Sequence, residues 1–212
     1  MSVITRKHNI LSYIEQKDKP LYKILNEDKN DYITKEFNYY YLETNYTEGK
    51  IYKILSDIIR YRDIYKVNNC NQCIICRTTK QHSMEYRSNE TINNKAIIYL
   101  SPGNAIDNET FFICHHFILE IDKCINEHNN FSLVFDFNNY SFTSMIRDTE
   151  TAYNLSKILQ NLYNSRLDTI YLIDTPFYIK PLLQMMKTMF HDSIYKKITH
   201  ITQIDYLHLI NK

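Results

Sequence analysis

Glycine is nearly missing, with Gly49 and Gly103 the only two in 212 residues. Glycine-rich phosphate cradles, dinucleotide fingerprints and nucleophile elbows need several neighbouring positions without a Cβ, so none of them is present. Turns must instead be built from Asn, Asp and Ser. Tryptophan is absent, and no apolar run approaches the roughly 18 uncharged residues of a membrane-spanning helix. The start, MSVITRKHNILSYIEQ, lacks the apolar core and small-residue cleavage site of a secretory leader. Charge of one sign is lacking too: the formal net charge is +1, which leaves no global field to attract nucleic acid or an anionic surface. The five cysteines, with Cys70, Cys73 and Cys76 crowded together, do not have the spacing of a secreted disulfide framework. These absences predict a cytoplasmic protein.

What is present suits one or two globular units, with 44% hydrophobic and 23% charged residues. Residues 1–66 read as helical. Thr47 is a suitable N-cap, and Ile51, Ile54, Leu55, Ile58 and Ile59 follow at helical spacing. Residues 67–94 are polar, rich in Asn and Cys, and read as a linker or insert. From residue 95 onward, short apolar runs alternate with helical stretches. Residues 96–100, 131–137, 169–173 and 198–201 predict strands, and residues 108–127 and 149–161 predict helices between them. The fold class that follows is α/β: a helical N-terminal cap, then a mostly parallel sheet with crossover helices.

The stretch after Pro176 predicts one more helix, with Pro181 in its first turn. Leu182, Met185, Met186, Met189 and Phe190 form a stripe on it, holding half of the chain's six methionines. An ordinary core helix accounts for such a stripe. So does an adaptable wall over an apolar cavity, because thioether side chains repack around varied shapes.

Read together, these segments resemble the CRAL-TRIO (Sec14-like) family. Tyr41 to Thr47 resembles its FLRARKFD element, and Ile58 to Arg62 stands where the family has a WR pair. Lys95 to Tyr99 resembles the gRPvvy strand. Phe135-Asp136-Phe137-Asn138-Asn139-Tyr140-Ser141 is similar to DLkGiS, and Gln160 to Leu167 to qnYYPERm. Tyr171 to Phe177 is similar to yiiNaPf, and Tyr195-Lys196-Lys197-Ile198 to vsKI. The resemblance implies a helical N-terminal domain over 1–66 and a lipid-binding domain over 95–212. It places the helix of residues 178–190 as a gate over a cavity that includes Phe135 and Phe137. It also implies a binding and transfer role rather than an enzymatic one, with a membrane lipid and a transient membrane surface as partners. Lys180, Lys187, Lys196 and Lys197 would steer the cavity mouth toward anionic head groups, at about 1 kcal/mol each.

The departures from the pattern concern the head group. Lys197 matches the lysine that phosphatidylinositol-binding members use, but Ser165 stands at their acidic position and Ile194 at a threonine. Phe131 and Leu133 replace the small hydroxyl residues of phosphatidylcholine binders. Lys197 favours a phospholipid, phosphatidylinositol included, over a sterol or other apolar ligand, with Arg166 and Ser165 as the further head-group candidates. The chain ends at Lys212, before the family's LP…GG segment. That shortening motivates an alternative: an interaction module with this fold but no lipid transfer, whose cysteine-bearing insert binds a protein partner.

Two other clusters bear on function. Cys70, Cys73, Cys76 and His82 offer four zinc ligands. They lie closer together in sequence than the separated pairs of structural zinc sites, so no cofactor is expected. His115, His116 and Glu120 share a helical stretch, and a His and a Glu four residues apart usually mark polar surface.

Overall fold

The computed structural model describes residues 2–27, 31–67, 83–105, 109–189 and 192–210, without side-chain detail at 31, 185, 186, 188 and 189. Of the residues singled out above, Cys70, Cys73, Cys76, His82 and Phe190 lie outside the described residues, as do the side chains of Met185, Met186 and Met189. The chain divides into two compact units, residues 1–64 and 65–212.

The first unit is four helices: α1 (Val3–Lys17), α2 (Lys19–Asn26), α3 (Asp31–Glu43) and α4 (Glu48–Ile64). Ser2 and Asp18 cap the first two, accepting from the Thr5 and Leu21 amides at 3.2 and 3.0 Å. Thr47 does the same for α4, accepting from the Lys50 amide at 3.3 Å. Ile51, Leu55 and Ile58 recur at helical spacing, and all three are fully buried with Ile10, Ile14, Leu21 and Phe37 of this unit.

The second unit is a five-stranded sheet in the order β1-β2-β3-β4-β5, with ranges Met84–Ile92, Lys95–Leu100, Phe131–Asp136, Leu167–Ile173 and Ile198–Ile201. The last four strands are parallel and adjacent in chain order. Between them come α5 (Thr110–Glu127), α6 (Phe142–Arg147), α7 (Thr149–Ile158), a π-helical turn at Leu159–Tyr163, α8 (Ile179–Met189) and the short α9 (Asp192–Tyr195). Parallel crossovers are nearly always right-handed, and each one here steps the same way across the sheet. The crossover helices therefore collect on one face. The opposite face, with Ile97, Val134, Tyr171 and Ile173, packs against Tyr206 of α10 (Gln203–Ile210).

Part of the supposed linker is structured: residues 84–92 form β1, an edge strand antiparallel to β2. Its sequence, MEYRSNETI, is polar because little of an edge strand is buried, and hydrophobic periodicity could not reveal it. Asn93 and Asn94 close the hairpin with φ of 51° and 62°, the primed turn that pairs best with twisted strands. Asparagine thus does the work that glycine does elsewhere; neither glycine has positive φ.

His116 and Glu120 are buried, not surface residues. His116 Nε2 lies 2.8 Å from the Met84 carbonyl, and Glu120 accepts from the Tyr86 amide at 2.6 Å. Together they bond one carbonyl and one amide on the open edge of β1, as a further strand would.

Candidate functional site

A cavity of about 140 Å³ lies between the helix-bearing face of the sheet and helices α5, α7 and α8. Strand alternation builds its floor. Leu100, Phe135 and Leu172 are register partners across three strands, as are Ile170 and Ile198 across two, so all five side chains point to one face. The walls are Ile113 from α5, Ala152, Leu155 and Ser156 from α7, and Leu159 from the π-helical turn. Ile179, Leu182 and Leu183 from α8 close it. Phe135 and Phe137 stack with ring centroids 6.4 Å apart.

Apart from Tyr140, Asp148, Thr151 and Ser156, every described lining side chain is apolar. Thr151 shares a 2.9 Å hydrogen bond with Thr110, and the Ser156 hydroxyl donates to the Tyr153 carbonyl at 2.6 Å. Arg147 donates to both oxygens of Asp148, at 2.8 and 3.3 Å. Burial, and then the Asp148 carboxylate, push the Tyr140 phenol well above its ordinary range.

Two loops beside the cavity approach each other closely. A Cβ on Gly103, in the helical turn Pro102–Asn104, would stand 2.2 Å from the Asn138 carbonyl oxygen. This close approach of two loops is what the second of the two glycines provides. Beside the cavity, Phe142, Ile146 and Phe177 are 53%, 59% and 81% exposed. Tyr178 packs edge-on against both phenylalanines, with centroids 6.0 and 5.5 Å away, and donates to the Tyr140 carbonyl.

Of the residues expected at the site, Phe135, Phe137 and Leu182 line the cavity together. Lys197 does not: its ammonium donates to the Asn164 carbonyl at 2.6 Å and to the Leu167 carbonyl, fastening the turn before β4 to the start of β5. Burial lowers its pKa. Arg166 is 3% exposed and donates to the Asn129 carbonyl at 2.7 Å, and neither it nor Ser165 lines the cavity. Lys180, Lys187 and Lys196 are exposed. Sequence reasoning missed Ile179 and Leu183, although both continue the helical spacing of Leu182, and it missed Asp148, which no apolar pattern could single out.

No helix among the described residues is long and apolar enough to cross a membrane, and no group of three or more metal-binding side chains occurs among them. The chain is similar in structure to the crystal structure of Sfh5, with a TM-score of 0.61 at 15% identity, covering 84% of this chain and 69% of that one. At that identity the likeness shows the fold: N-terminal helices followed by a mostly parallel sheet. A search of characterised protein sequences finds no match. The sequence profile described as CRAL/TRIO domain matches residues 80–211. That span is well over half of the chain and takes in all five strands and every cavity-lining residue, and with it the chain belongs to the CRAL/TRIO family of lipid-binding domains.

Proposed function

We propose that the protein holds one membrane lipid between the sheet and helices α5, α7 and α8, and exchanges it with a membrane when α8 moves outward. The observation that carries this reading is the cavity itself, apolar on floor and walls and partly covered by a helix. Burying a sixteen-carbon chain contributes on the order of 12 kcal/mol, about what the bilayer already supplies, so extraction needs an enclosed apolar site rather than a surface groove. The role is binding and transfer, with no catalysed step.

The exposed patch of Phe142, Ile146 and Phe177 supports peripheral membrane docking. Aromatic and aliphatic side chains on short exposed segments partition into the interface, and here they flank the start of α8. Exposed Lys180 and Lys187 on α8 would add attraction to anionic lipid.

The test is transfer of labelled lipid between vesicles of mixed phospholipid and sterol. Replacing Phe142, Ile146 and Phe177 together by Asp should slow transfer at least tenfold while leaving the unfolding temperature within a few degrees. Unchanged transfer by the triple variant would remove the docking assignment. A folded protein that carries no lipid after exposure to such vesicles would point instead to an interaction module.

A further inference from the structure

The turn that leads into α8 is bonded to that helix. The Ile179 and Lys180 amides donate to the Pro176 and Phe177 carbonyls at 3.0 and 3.3 Å, so Tyr178 would travel with α8. Its hydroxyl donates to a different segment, to the Tyr140 carbonyl in the loop between β3 and α6. That loop has bonds of its own. The Tyr140 amide donates to the Phe137 carbonyl at 3.1 Å, and the Ser141 hydroxyl caps α6 by accepting from the Ser144 amide at 3.1 Å. A single side-chain hydrogen bond thus joins the helix that would move to a loop that need not.

The ring of Tyr178 has a second task. It stands edge-on to Phe142 of α6 and to Phe177, with interplanar angles of 87° and 76°. Those two rings are the exposed ones of the docking patch. Helix α8, with 11 residues, is about 16 Å long, so a swing about Ile179 that moves its far end about 3 Å turns the Tyr178 side chain by about 0.2 radian. Over the length of a tyrosine side chain that carries the hydroxyl about 1 Å, enough to break an ordinary hydrogen bond. A bilayer can favour the opened form only by binding it better than the closed one. It does so here if Phe142 and Phe177 give up their contacts with Tyr178 for contacts with acyl chains.

We infer that Tyr178 is the latch of the cavity: its bond to the Tyr140 carbonyl holds α8 closed away from membranes, and insertion of Phe142 and Phe177 into a bilayer releases it. This inference rests on the lipid-exchange reading and adds to it how release is confined to the membrane surface. Tyr178 is a positioning residue in this scheme and touches no lipid.

The experiment loads the full chain from vesicles of tritiated phosphatidylcholine, phosphatidylinositol and cholesterol, then follows release into methyl-β-cyclodextrin or into unlabelled vesicles. The wild-type chain should release to vesicles at least tenfold faster than to cyclodextrin. Tyr178→Phe keeps the ring and deletes only the hydroxyl. One net hydrogen bond corresponds to a factor of about 2 to 10, so release to cyclodextrin should rise about fivefold and release to vesicles less than twofold. Loading at equilibrium should stay the same, because a latch changes entry and exit alike, whereas a general loosening of the fold would lower it. A cyclodextrin rate unchanged in Tyr178→Phe overturns the latch. Equal acceleration into both acceptors overturns its release by the membrane. So does a wild-type chain that releases equally fast to both, a result that needs no variant. A folded chain that takes up no label overturns the lipid-binding reading itself.

Discussion

Ala152 lies on α7 with its methyl group toward the cavity, and Ala152→Phe tests whether that cavity is the place where lipid is held. An engineered cavity of about 150 Å³ in another protein holds one benzene, so the phenyl ring of the variant matches the 140 Å³ available here. By the same proportion a sixteen-carbon chain needs about 400 Å³, leaving roughly 260 Å³ to be opened. Helix α8, with its 11 residues, covers a footprint of about 16 by 10 Å, so an outward shift of about 1.6 Å would open that volume. With the ring in place the shift must reach about 2.5 Å. If α8 does not move further, about six methylenes lose their burial, roughly 5 kcal/mol or a factor of 10³ to 10⁴ in loading. The fold should survive. Burying the ring contributes about 2 kcal/mol, while overpacking strain costs about 1–3 kcal/mol and lost helix propensity about 0.5 kcal/mol. A thermal melt should therefore shift by only a few degrees, while lipid recovered with the protein falls to a few per cent. Full loading by a variant with an unchanged melt would refute the assignment of this cavity.

Three further outcomes follow from single residues. Gly103→Ala forces a Cβ to 2.2 Å from the Asn138 carbonyl oxygen, so the loops after β2 and β3 must separate; a urea midpoint should show a loss of roughly 2–4 kcal/mol, and an unchanged midpoint would contradict the close approach. Glu120→Ala leaves the Tyr86 amide without its acceptor, at a cost of about 1–3 kcal/mol, and should speed hydrogen exchange at Tyr86 ahead of the central strands. Burial pushes the thiols of Cys114 and Cys124 up to about 12. Their thiolate fraction at pH 8 is then about three orders of magnitude below that of a free thiol, rising tenfold per pH unit. Site-resolved alkylation should find both inert in the folded protein and reactive in urea; fast labelling of either under native conditions would show that its site opens.

The central parallel strands were legible because they are largely buried on both faces and read as nearly continuous apolar runs, as in Phe131-Ser132-Leu133-Val134. Helix α8 was legible for the opposite reason, its apolar residues recurring at helical spacing above a polar face. β1 was hidden because an edge strand needs few apolar side chains, and because its outer hydrogen bonds go to His116 and Glu120, more than thirty residues further along the chain. Spacing showed that those two share a turn of helix, but not that the turn faces a strand edge. Lys197 presents a similar limit. Its position in a familiar run of residues was visible, whereas its bonds to the Asn164 and Leu167 carbonyls depend on how three segments meet.

The topology also favours α8, rather than another wall, as the part that would move in the proposed exchange. Sequential parallel strands put every crossover helix on one face, so α5, α7 and α8 must share that face with the cavity. They are not held equally. Helix α5 buries ten of its residues and fixes the edge of β1 through His116 and Glu120. Among the described side chains of α8 only Ile179, at its first residue, is fully buried; Leu182 and Leu183 are partly buried over the cavity, and Lys180, Pro181, Gln184 and Lys187 are exposed. A shift of about 1.6 Å pivoting near Ile179 would therefore leave that anchor in place and disturb only half-buried contacts, each worth a fraction of the 1.5–3 kcal/mol of a fully buried aliphatic side chain. The incoming lipid chain would cover the same leucines again. Opening by α5 would instead strip a buried face and unpair the edge of the sheet, so the lower-energy route into the cavity is past α8.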